Sequence, residues 1–277
     1  MRFGSSVMLL APTAAHKHLF PTPTMKLTYK CCVIVTIRRG VQAIEYNESH
    51  AERVRLLSMV DVLEPLTAEQ TDLLAQRTSE RTFTRGESVY APGDASEFVF
   101  LLLKGRMRLY GMSGGQEITF EVVRAGTMFG IASLMERTQN EYAIALETSR
   151  VGMLGLNDFW HLVRQNPEVN ARLVKVLGER WRQTRGRMAD IALKETPARL
   201  ASLIIDLVQS EGVVTREGHY KIVAHYTHDQ LASMIGVRRV AVTRAFGTLQ
   251  DSGCVRIFRR RIYVVDLDAL KRRASAG

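Results

Sequence analysis

The chain has 277 residues, 46% of them hydrophobic and 24% charged, which indicates about two globular domains and excludes a disordered or fibrous protein. No run of about 18 apolar residues occurs, so we expect neither a transmembrane helix nor a membrane partner. The formal net charge of +10 suits a polyanionic partner, and three cysteines are too few for a disulfide framework or a four-thiolate cluster, which favours reduced thiols in the cytoplasm.

The charge is unevenly distributed along the chain. Residues 59–166 carry 10 Lys and Arg against 14 Asp and Glu, whereas residues 194–277 carry 14 against 8. Residues 167–193, which lie between them, carry 6 against 3. An anionic partner is therefore expected to bind the C-terminal third of the chain.

Residues 1–58 do not have the pattern of a domain start. Prolines interrupt the first part, and only Lys30–Ile37 has the composition of a strand, for which no partner strand is visible. We interpret residues 1–58 as an extension that is disordered or precedes the true start, with Met25 and Met59 as alternative first residues.

From residue 59 onward the sequence is typical of a small β domain. A short helix is predicted over Thr67–Arg77, with Thr67 as its N-cap. Short apolar strands then alternate with glycine turns roughly every ten residues, which indicates a sandwich or a barrel-like roll. A second short helix is predicted over Asn157–Arg164, with Asn157 as its cap. The fold class is therefore α+β, beginning with a β-roll over residues 59–166.

A long helix is predicted over residues 167–193. Pro167 suits its first turn, and apolar side chains recur every three or four residues along it. A helix of this length with one apolar seam usually packs against a partner, and a symmetric copy is the simplest partner. We therefore interpret it as a dimerisation helix, with the hinge to the next domain at 192–197. The predicted seam consists of Val169, Leu173, Val176, Leu177, Thr184, Met188 and Ile191.

Residues 226–250 are predicted to form two short helices joined by a tight turn. Thr227 and Gln230 make a capping-box pattern, and Gly236 permits the turn. On the second helix, residues 238–250, apolar side chains share one face and the opposite face is basic and polar. This arrangement predicts a helix-turn-helix whose second helix enters the major groove. An ordinary helical hairpin with solvated arginines is the alternative.

A tight hairpin with a basic tip follows. Strands are predicted over Val255–Phe258 and Ile262–Val265, with Arg259, Arg260 and Arg261 between them. Three arginines at one tip repel each other unless an anion lies nearby. We therefore interpret the hairpin as a wing that contacts DNA phosphate.

Several segments match one protein family in both wording and order. They are PGD at 92–94, KGRMRLYG at 104–111, GQEITF at 115–120, MFG at 128–130 and VRRVAVTRAFGTLQDSG at 237–253. On these segments, residues 60–270 resemble the cyclic-AMP receptor / fumarate-nitrate reductase regulator (Crp/Fnr) family of transcription factors. RVAVTR at 239–244 is closest to the nitrogen-control branch of that family.

The resemblance implies a β-roll sensor domain over 59–166, a dimerisation helix over 167–193 and a winged helix-turn-helix domain over 194–277. It implies a homodimer that binds a palindromic site in double-stranded DNA, with RNA polymerase as a protein partner. The implied base-reading residues are Arg239 and Arg244, with Val240 and Thr243 beside them. The implied phosphate contacts are Thr227, Arg238, Arg259, Arg260 and Arg261. The family often has Ser at 238 and Glu at 240, so Arg238 and Val240 predict a different half-site from that of the cyclic-AMP receptor.

The implied effector site lies in the β-roll and departs from the cyclic-AMP binders. They carry Glu where this chain has Ile131, and a phosphate-holding Arg-Ser pair where it has Glu141-Tyr142, so a carboxylate would repel the cyclic phosphate. The nitrogen regulators bind 2-oxoglutarate through two arginines. Arg180 matches the one on the long helix, whereas the other position falls near Gln139 or Glu141, so half of the clamp is missing unless Arg185 substitutes for it. A 2-oxoglutarate-like anion and the absence of any small effector both stay open; the cysteines do not suit haem or an iron–sulfur cluster, and no metal site is expected. The candidate pocket comprises Phe129, Gly130, Ile131, Ala132, Arg180, Thr184 and Arg185.

Two other functions stay open on the sequence. The first is a small-molecule sensor that acts through protein contacts with reduced DNA binding, against which the intact Arg239 and Arg244 argue. The second is an enzyme, for which the sequence offers no Ser/His/Asp, metal-binding or phosphate-loop constellation. We therefore expect no enzymatic activity.

Overall fold

The computed structural model of the chain describes residues 42–131, 134 and 136–276. The described part begins with helix α1 (Gln42–Leu57), a 3-10 turn (Asp61–Leu63) and helix α2 (Ala68–Arg77). Thr67 caps α2 through a capping box with Gln70, which confirms the predicted helix start. Among these residues, no helix is both long and apolar enough to cross a membrane.

Two four-stranded antiparallel sheets form the β-roll. Its strands are β1 (Ser79–Phe83), β2 (Ser88–Tyr90), β3 (Phe98–Lys104), β4 (Arg106–Ser113), β5 (Gln116–Arg124), β6 (Thr127–Phe129), β7 (Tyr142–Ala145) and β8 (Ser149–Gly155). One sheet has the order β1-β8-β3-β6 and the other the order β2-β7-β4-β5. The predicted roll of short strands separated by turns is therefore confirmed.

Strand β3 has an almost uninterrupted apolar sequence because both of its faces are buried. Leu101 on one face packs in a core with Leu57 and Phe159, which come from the helices outside the roll. Leu102 on the opposite face packs in a second core, inside the roll, with Phe129. Both faces of the strand are buried, so the alternation of apolar and polar residues is lost.

Helix α1 lies in the stretch that the sequence analysis treated as an extension. Arg53 donates to Glu80 Oε1 at 2.6 Å, and Leu57 is fully buried. Hydrogen bonds from Lys104 and then Arg150 lower the pKa of Glu52 to about 2. Residues 50–57 thus pack against the roll and do not form a separate arm, whereas Lys30–Ile37 lies outside the described residues.

Three helices follow the roll: α3 (Leu156–Gln165), α4 (Pro167–Leu193) and α5 (Thr196–Glu211). The predicted cap of α3 is wrong. Strand β8 runs directly into the helix, so Gly155 is the N-cap and Asn157 lies inside the first turn. Pro167 occupies the first turn of α4, as predicted.

The apolar residues of α4 divide into two sets, which corrects the predicted seam. Val169 and Leu173 are buried in the core of the chain's own roll, and Val176 packs against that core. An exposed row remains further along the helix, on one face. It consists of Val174, Leu177, Trp181 and Met188.

The C-terminal part consists of helices packed on a third four-stranded sheet. Its elements after α5 are β9 (Gly212–Val214), β10 (Tyr220–Ile222), α6 (His228–Ile235), α7 (Arg239–Asp251), β11 (Val255–Phe258), β12 (Arg261–Val264) and α8 (Leu267–Ser275). The sheet order is β11-β12-β10-β9. Leu200, Leu231 and Phe246 share one buried core that holds α5, α6 and α7 together. The sequence analysis missed β9, β10 and α8.

Candidate nucleic-acid interface

Local interactions fix where α6 begins and where it ends, and so fix the turn into α7. The Thr227 hydroxyl accepts from Gln230 N, and the Gln230 side chain accepts from Thr227 N at 2.8 Å. Gly236 ends α6 in the left-handed region, at φ 68°, where a side chain would add strain. The predicted capping box and glycine turn are confirmed. Thr227 keeps its hydroxyl proton for a further acceptor.

Helix α7 is amphipathic in the predicted sense. Its buried side chains are Val242, Ala245, Phe246 and Leu249. Its exposed side chains Arg239, Val240, Thr243 and Arg244 form what we call the reading face. Arg238 is the N-cap residue and is also exposed, so the helix begins one residue later than predicted.

Arg239 is held only weakly in the free protein. Its Nη1 lies 3.9 Å from Asp229 Oδ2, and both side chains are about two-thirds exposed. An ion pair this exposed contributes at most about 1 kcal/mol, because water screens it. The guanidinium is therefore available to a stronger acceptor.

His228, at the start of α6, touches the reading face. Its Nδ1 lies 2.9 Å from Thr243 Oγ1, and its ring stacks on Phe246 with centroids 5.3 Å apart. The Thr243 hydroxyl also donates to Arg239 O at 3.2 Å. No spacing rule connects positions 228 and 243, so this contact could not be predicted from the sequence. The packing of α6 against α7 brings them together.

The wing turn has two residues, one fewer than predicted. Arg261 already belongs to β12 and pairs with Phe258, so only Arg259 and Arg260 form the tip. Both have positive φ, 49° and 61°, as a type I′ hairpin turn requires. This conformation costs a non-glycine residue about 1 kcal/mol or more. Two exposed arginines thus occupy positions that favour Gly or Asn.

The β-roll contacts the helix-turn-helix directly. Thr119 Oγ1 on β5 and Ser233 Oγ on α6 are 2.8 Å apart in a buried hydrogen bond. Arg187 on α4 donates to Phe120 O at 2.7 Å. A cleft between the β4–β5 hairpin and the α6–α7 turn includes Arg239 in its lining. The start of the reading face therefore lies next to the roll.

The candidate effector residues do not converge on one site. Phe129 is fully buried in a ring stack with Phe100, at 5.3 Å, and a Cβ on Gly130 would come within 2.7 Å of the Phe100 ring. Ile131 is half-buried against the core that contains Leu57 and Phe159, and Ala132 lies outside the described residues. Thr184 and Arg185 are exposed on α4. The MFG segment is therefore explained by packing.

Of the three candidates on α4, Arg180 is the one that bonds to the roll. Its Nη2 donates to Met128 O at 2.6 Å, and its Nε lies 3.8 Å from Glu121. Tyr90 donates its hydroxyl to Glu141 Oε1 at 3.2 Å. Burial raises the pKa of Glu141, and the nearby Glu121 carboxylate raises it further, against the opposing effects of the Tyr90 hydrogen bond and of Arg180. The position expected for an anion clamp therefore holds two carboxylates, Glu121 and Glu141, and one arginine that is already bonded to the backbone.

The substitution Glu141→Gln is expected to stabilise the fold at neutral pH. A carboxyl whose pKa is raised in the folded state costs stability when it is ionised, and this cost is absent below its unfolded pKa. The free energy of unfolding should rise at pH 7, on the order of 1 kcal/mol, and the gain should vanish as the pH falls to about 4. Denaturant titrations at both pH values measure it. Glu136→Gln, at an exposed carboxylate, is the control, and an equal gain from it would contradict the prediction.

Two family models match the chain. The cyclic nucleotide-binding domain matches residues 80–166, and the Crp-like helix-turn-helix domain matches residues 198–273. The chain is 29% identical over 187 residues to the global nitrogen regulator of Nostoc sp., covering 66% of this chain and 83% of that protein. It is 24% identical over 224 residues to the CRP-like cAMP-activated global transcriptional regulator of Mycobacterium tuberculosis, covering 79% and 98%.

Solved structures are similar over the same extent. A CRP/FNR-family transcriptional regulator from Thermus thermophilus superposes with a TM-score of 0.59 at 25% identity, covering 72% of this chain and 99% of that one. A CooA mutant from Carboxydothermus hydrogenoformans superposes with a TM-score of 0.67, covering 78% and 95%. At 21% identity the second likeness concerns the fold alone. The roll, the long helix and the winged domain therefore occur together in known regulators.

Proposed function

The chain belongs to the Crp/Fnr family of DNA-binding transcriptional regulators, and from that premise we propose that it acts as a homodimer on a two-fold symmetric DNA site. Each copy of α7 lies in the major groove of one half-site. The reading face supports this proposal most directly, because it exposes two arginines on a helix whose other face is fully buried in the core. The proposed location is the cytoplasm, with RNA polymerase as the protein partner.

The side chains of the reading face determine which bases each half-site is proposed to contain. Arg239 and Arg244 are proposed to bond guanine O6 and N7, the commonest specific contact that arginine makes. Val240 is 61% exposed and apolar, so it cannot accept a hydrogen bond from cytosine N4. The half-site therefore differs from that of regulators with Glu at this position.

Phosphate contacts are proposed to flank the reading face. Thr227 offers a hydroxyl proton at the start of α6, and Arg238 precedes α7. Arg259, Arg260 and Arg261 lie at or beside the wing tip. These groups neutralise the DNA backbone and hold α7 in register without reading sequence.

The dimer is proposed to form through α4. Trp181, 66% exposed, lies in the row of exposed apolar side chains that includes Leu177 and Met188. Such a row on a 27-residue helix suits packing against its symmetric copy. Thr184 and Arg185 lie on the same face by helical spacing. They are therefore proposed to approach the partner subunit.

Selection from a random duplex library tests the proposed function. We expect a palindromic site, bound by the dimer with an affinity that falls steeply as salt increases. Recovery of no symmetric site at any salt concentration would reject the proposal. It would favour the alternative of a sensor that acts through protein contacts.

The effector proposal follows from the charges in the roll. Cyclic AMP is proposed not to bind, because Glu121 and Glu141 line the place of the phosphate clamp. A dicarboxylate such as 2-oxoglutarate would meet the same repulsion, and Arg180 could hold it only after release of Met128 O, so the roll is proposed to bind neither anion in this conformation. Thermal unfolding with each compound and with buffer tests this, since a ligand that binds only the native state raises the Tm. A rise with cyclic AMP would reverse the assignment.

Replacing Arg260 by alanine is expected to weaken binding to all DNA sequences alike. Arg260 lies at the wing tip, so its loss removes about one phosphate contact and lowers the salt slope by about 1 for each subunit. Gel shifts on selected and scrambled duplexes over a range of salt concentrations measure both quantities. Lys271→Ala on α8 is a matched loss of one exposed charge. A changed sequence preference in Arg260→Ala would show that the wing reads bases.

A further inference from the structure

We propose that Thr243 reads thymine through its γ-methyl group, and that His228 is the residue that positions it. The inference rests on the proposed function, because it requires α7 to lie in the major groove. Its basis is the bond between His228 Nδ1 and Thr243 Oγ1, at 2.9 Å, which joins the first turn of α6 to the reading face.

The position of each hydrogen follows from the partners. The Thr243 hydroxyl has a single proton. Its oxygen, Oγ1, lies 3.2 Å from Arg239 O. A carbonyl oxygen only accepts, so both contacts are satisfied together only when this proton is given to Arg239 O. The bond to His228 then requires that Nδ1 carry the hydrogen and that Thr243 Oγ1 accept it. The hydroxyl is therefore fully engaged as a donor before any DNA arrives.

The His228 ring is itself fixed. It stacks on Phe246 at 5.3 Å between centroids, with the ring planes 18° apart, and Phe246 is buried in the domain core. The adjacent carboxylate, Asp229, pairs with Arg239 at 3.9 Å. Rotation of the ring would break both the stack and the bond to Thr243.

The methyl group of Thr243 is consequently the part that meets the groove. Threonine in a helix is divided between two χ1 rotamers, and a hydroxyl tied to the helix backbone selects one of them. Thr243 is exposed on the reading face, and with its hydroxyl engaged by Arg239 O and His228 the γ-methyl is the side-chain group left to contact a base edge. Thymine alone presents a methyl group on the major-groove edge, and a threonine methyl contacts it favourably.

Val240 extends this apolar strip. It lies three residues before Thr243 on the same face, and it is exposed like Thr243. The strip is flanked by Arg239 and Arg244. A half-site with thymine between the guanine contacts matches this order of groups.

Deoxyuridine substitution tests the inference, because it removes only the thymine methyl. Each thymine of the selected site is replaced in turn, and wild-type affinity is measured in the full-length protein. One position in each half-site is expected to lose about fourfold, the value of one buried methylene-sized group. Thr243→Val should keep this sensitivity, because it retains a methyl group. Thr243→Ser should bind thymine and uracil equally.

His228 is tested by the ratio of the two affinities. His228→Ala is expected to free the hydroxyl and reduce the thymine-to-uracil ratio, whereas a merely structural defect would weaken both duplexes equally. In a Thr243→Val background the same change should leave the ratio unaltered, since valine has no hydroxyl to position. An unchanged ratio in the single variant would remove His228 from the proposal.

The proposed function and this inference fail in different ways. Loss of all specific binding by the wild type would reject the proposed function. Intact specific binding with equal affinity for thymine and uracil at every position would overturn the reading of thymine by Thr243 and leave the DNA-binding role standing.

Discussion

Arg239→Ala is expected to lower the affinity for the selected palindrome by about 1–3 kcal/mol for each half-site and to relax base preference at one position. The reason is that its guanidinium lies at the start of α7, is about two-thirds exposed, and has only a screened pairing with Asp229 to give up. Affinity for random duplex DNA should change much less. Competition gel shifts with single-base variants of the site measure both effects.

Arg272→Ala on α8 serves as the control, because it removes one exposed arginine away from the reading face. It should alter neither base preference nor specific affinity beyond a small salt-dependent change. If Arg239→Ala weakens specific and random DNA equally, then Arg239 contacts phosphate and its base-reading role is wrong.

Trp181→Glu is expected to convert the dimer into monomers and to reduce palindrome affinity by two orders of magnitude or more. A carboxylate placed in an apolar interface must stay desolvated or separate the helices, at a cost of several kcal/mol. Without the dimer, one half-site contact is lost and the second no longer benefits from the first. Sedimentation velocity and gel shifts on the same samples measure the two outcomes.

Lys175→Glu is the matched control, since it lies about 120° around α4 from Trp181 and reverses a charge on an exposed side chain. It should leave the dimer intact. A Trp181→Glu protein that stays dimeric would move the interface away from the exposed row of α4.

Much of the fold could be predicted because its signals are local. Glycine turns separate the strands of the roll, Pro167 begins α4, and Thr227 with Gly236 delimits α6. Helix α1 escaped because it is largely polar and is held by ion pairs such as Arg53–Glu80, which join residues far apart in sequence. Short strands such as β9 and β10 have too few residues to show a period.

The helix α4 seam shows a different limit. Periodicity groups all apolar residues of one stripe, so Leu173 and Leu177 appeared as members of a single interface. In the structure Leu173 is buried against the roll, while Leu177 is exposed. Which partner a residue packs against depends on the position of the roll along the helix, and a pattern in one sequence does not contain that position.

In the candidate site, features set by local pattern could be predicted from the sequence, whereas features set by packing and strand register could not. The exposure of Arg239 and Arg244 on one face follows from the amphipathic pattern of α7 and could be predicted from the sequence. The bond between His228 and Thr243 depends on how two helices pack, and the two-residue wing tip depends on strand register. The effector residues were taken from a resemblance alone, and their side chains serve mostly as core or lie exposed.

The buried bond between Thr119 and Ser233 makes the roll and the reading helices thermodynamically dependent on each other. Separating the two hydroxyls inside the protein without new partners would cost about 1–3 kcal/mol, which equals a change of roughly 5- to 150-fold in an equilibrium constant. A perturbation of β5 that opens this bond thus shifts how readily α6 and α7 reorient. Coupling between two binding sites is reciprocal, so DNA binding that moves α6 would also change the binding free energy of a ligand in contact with β5.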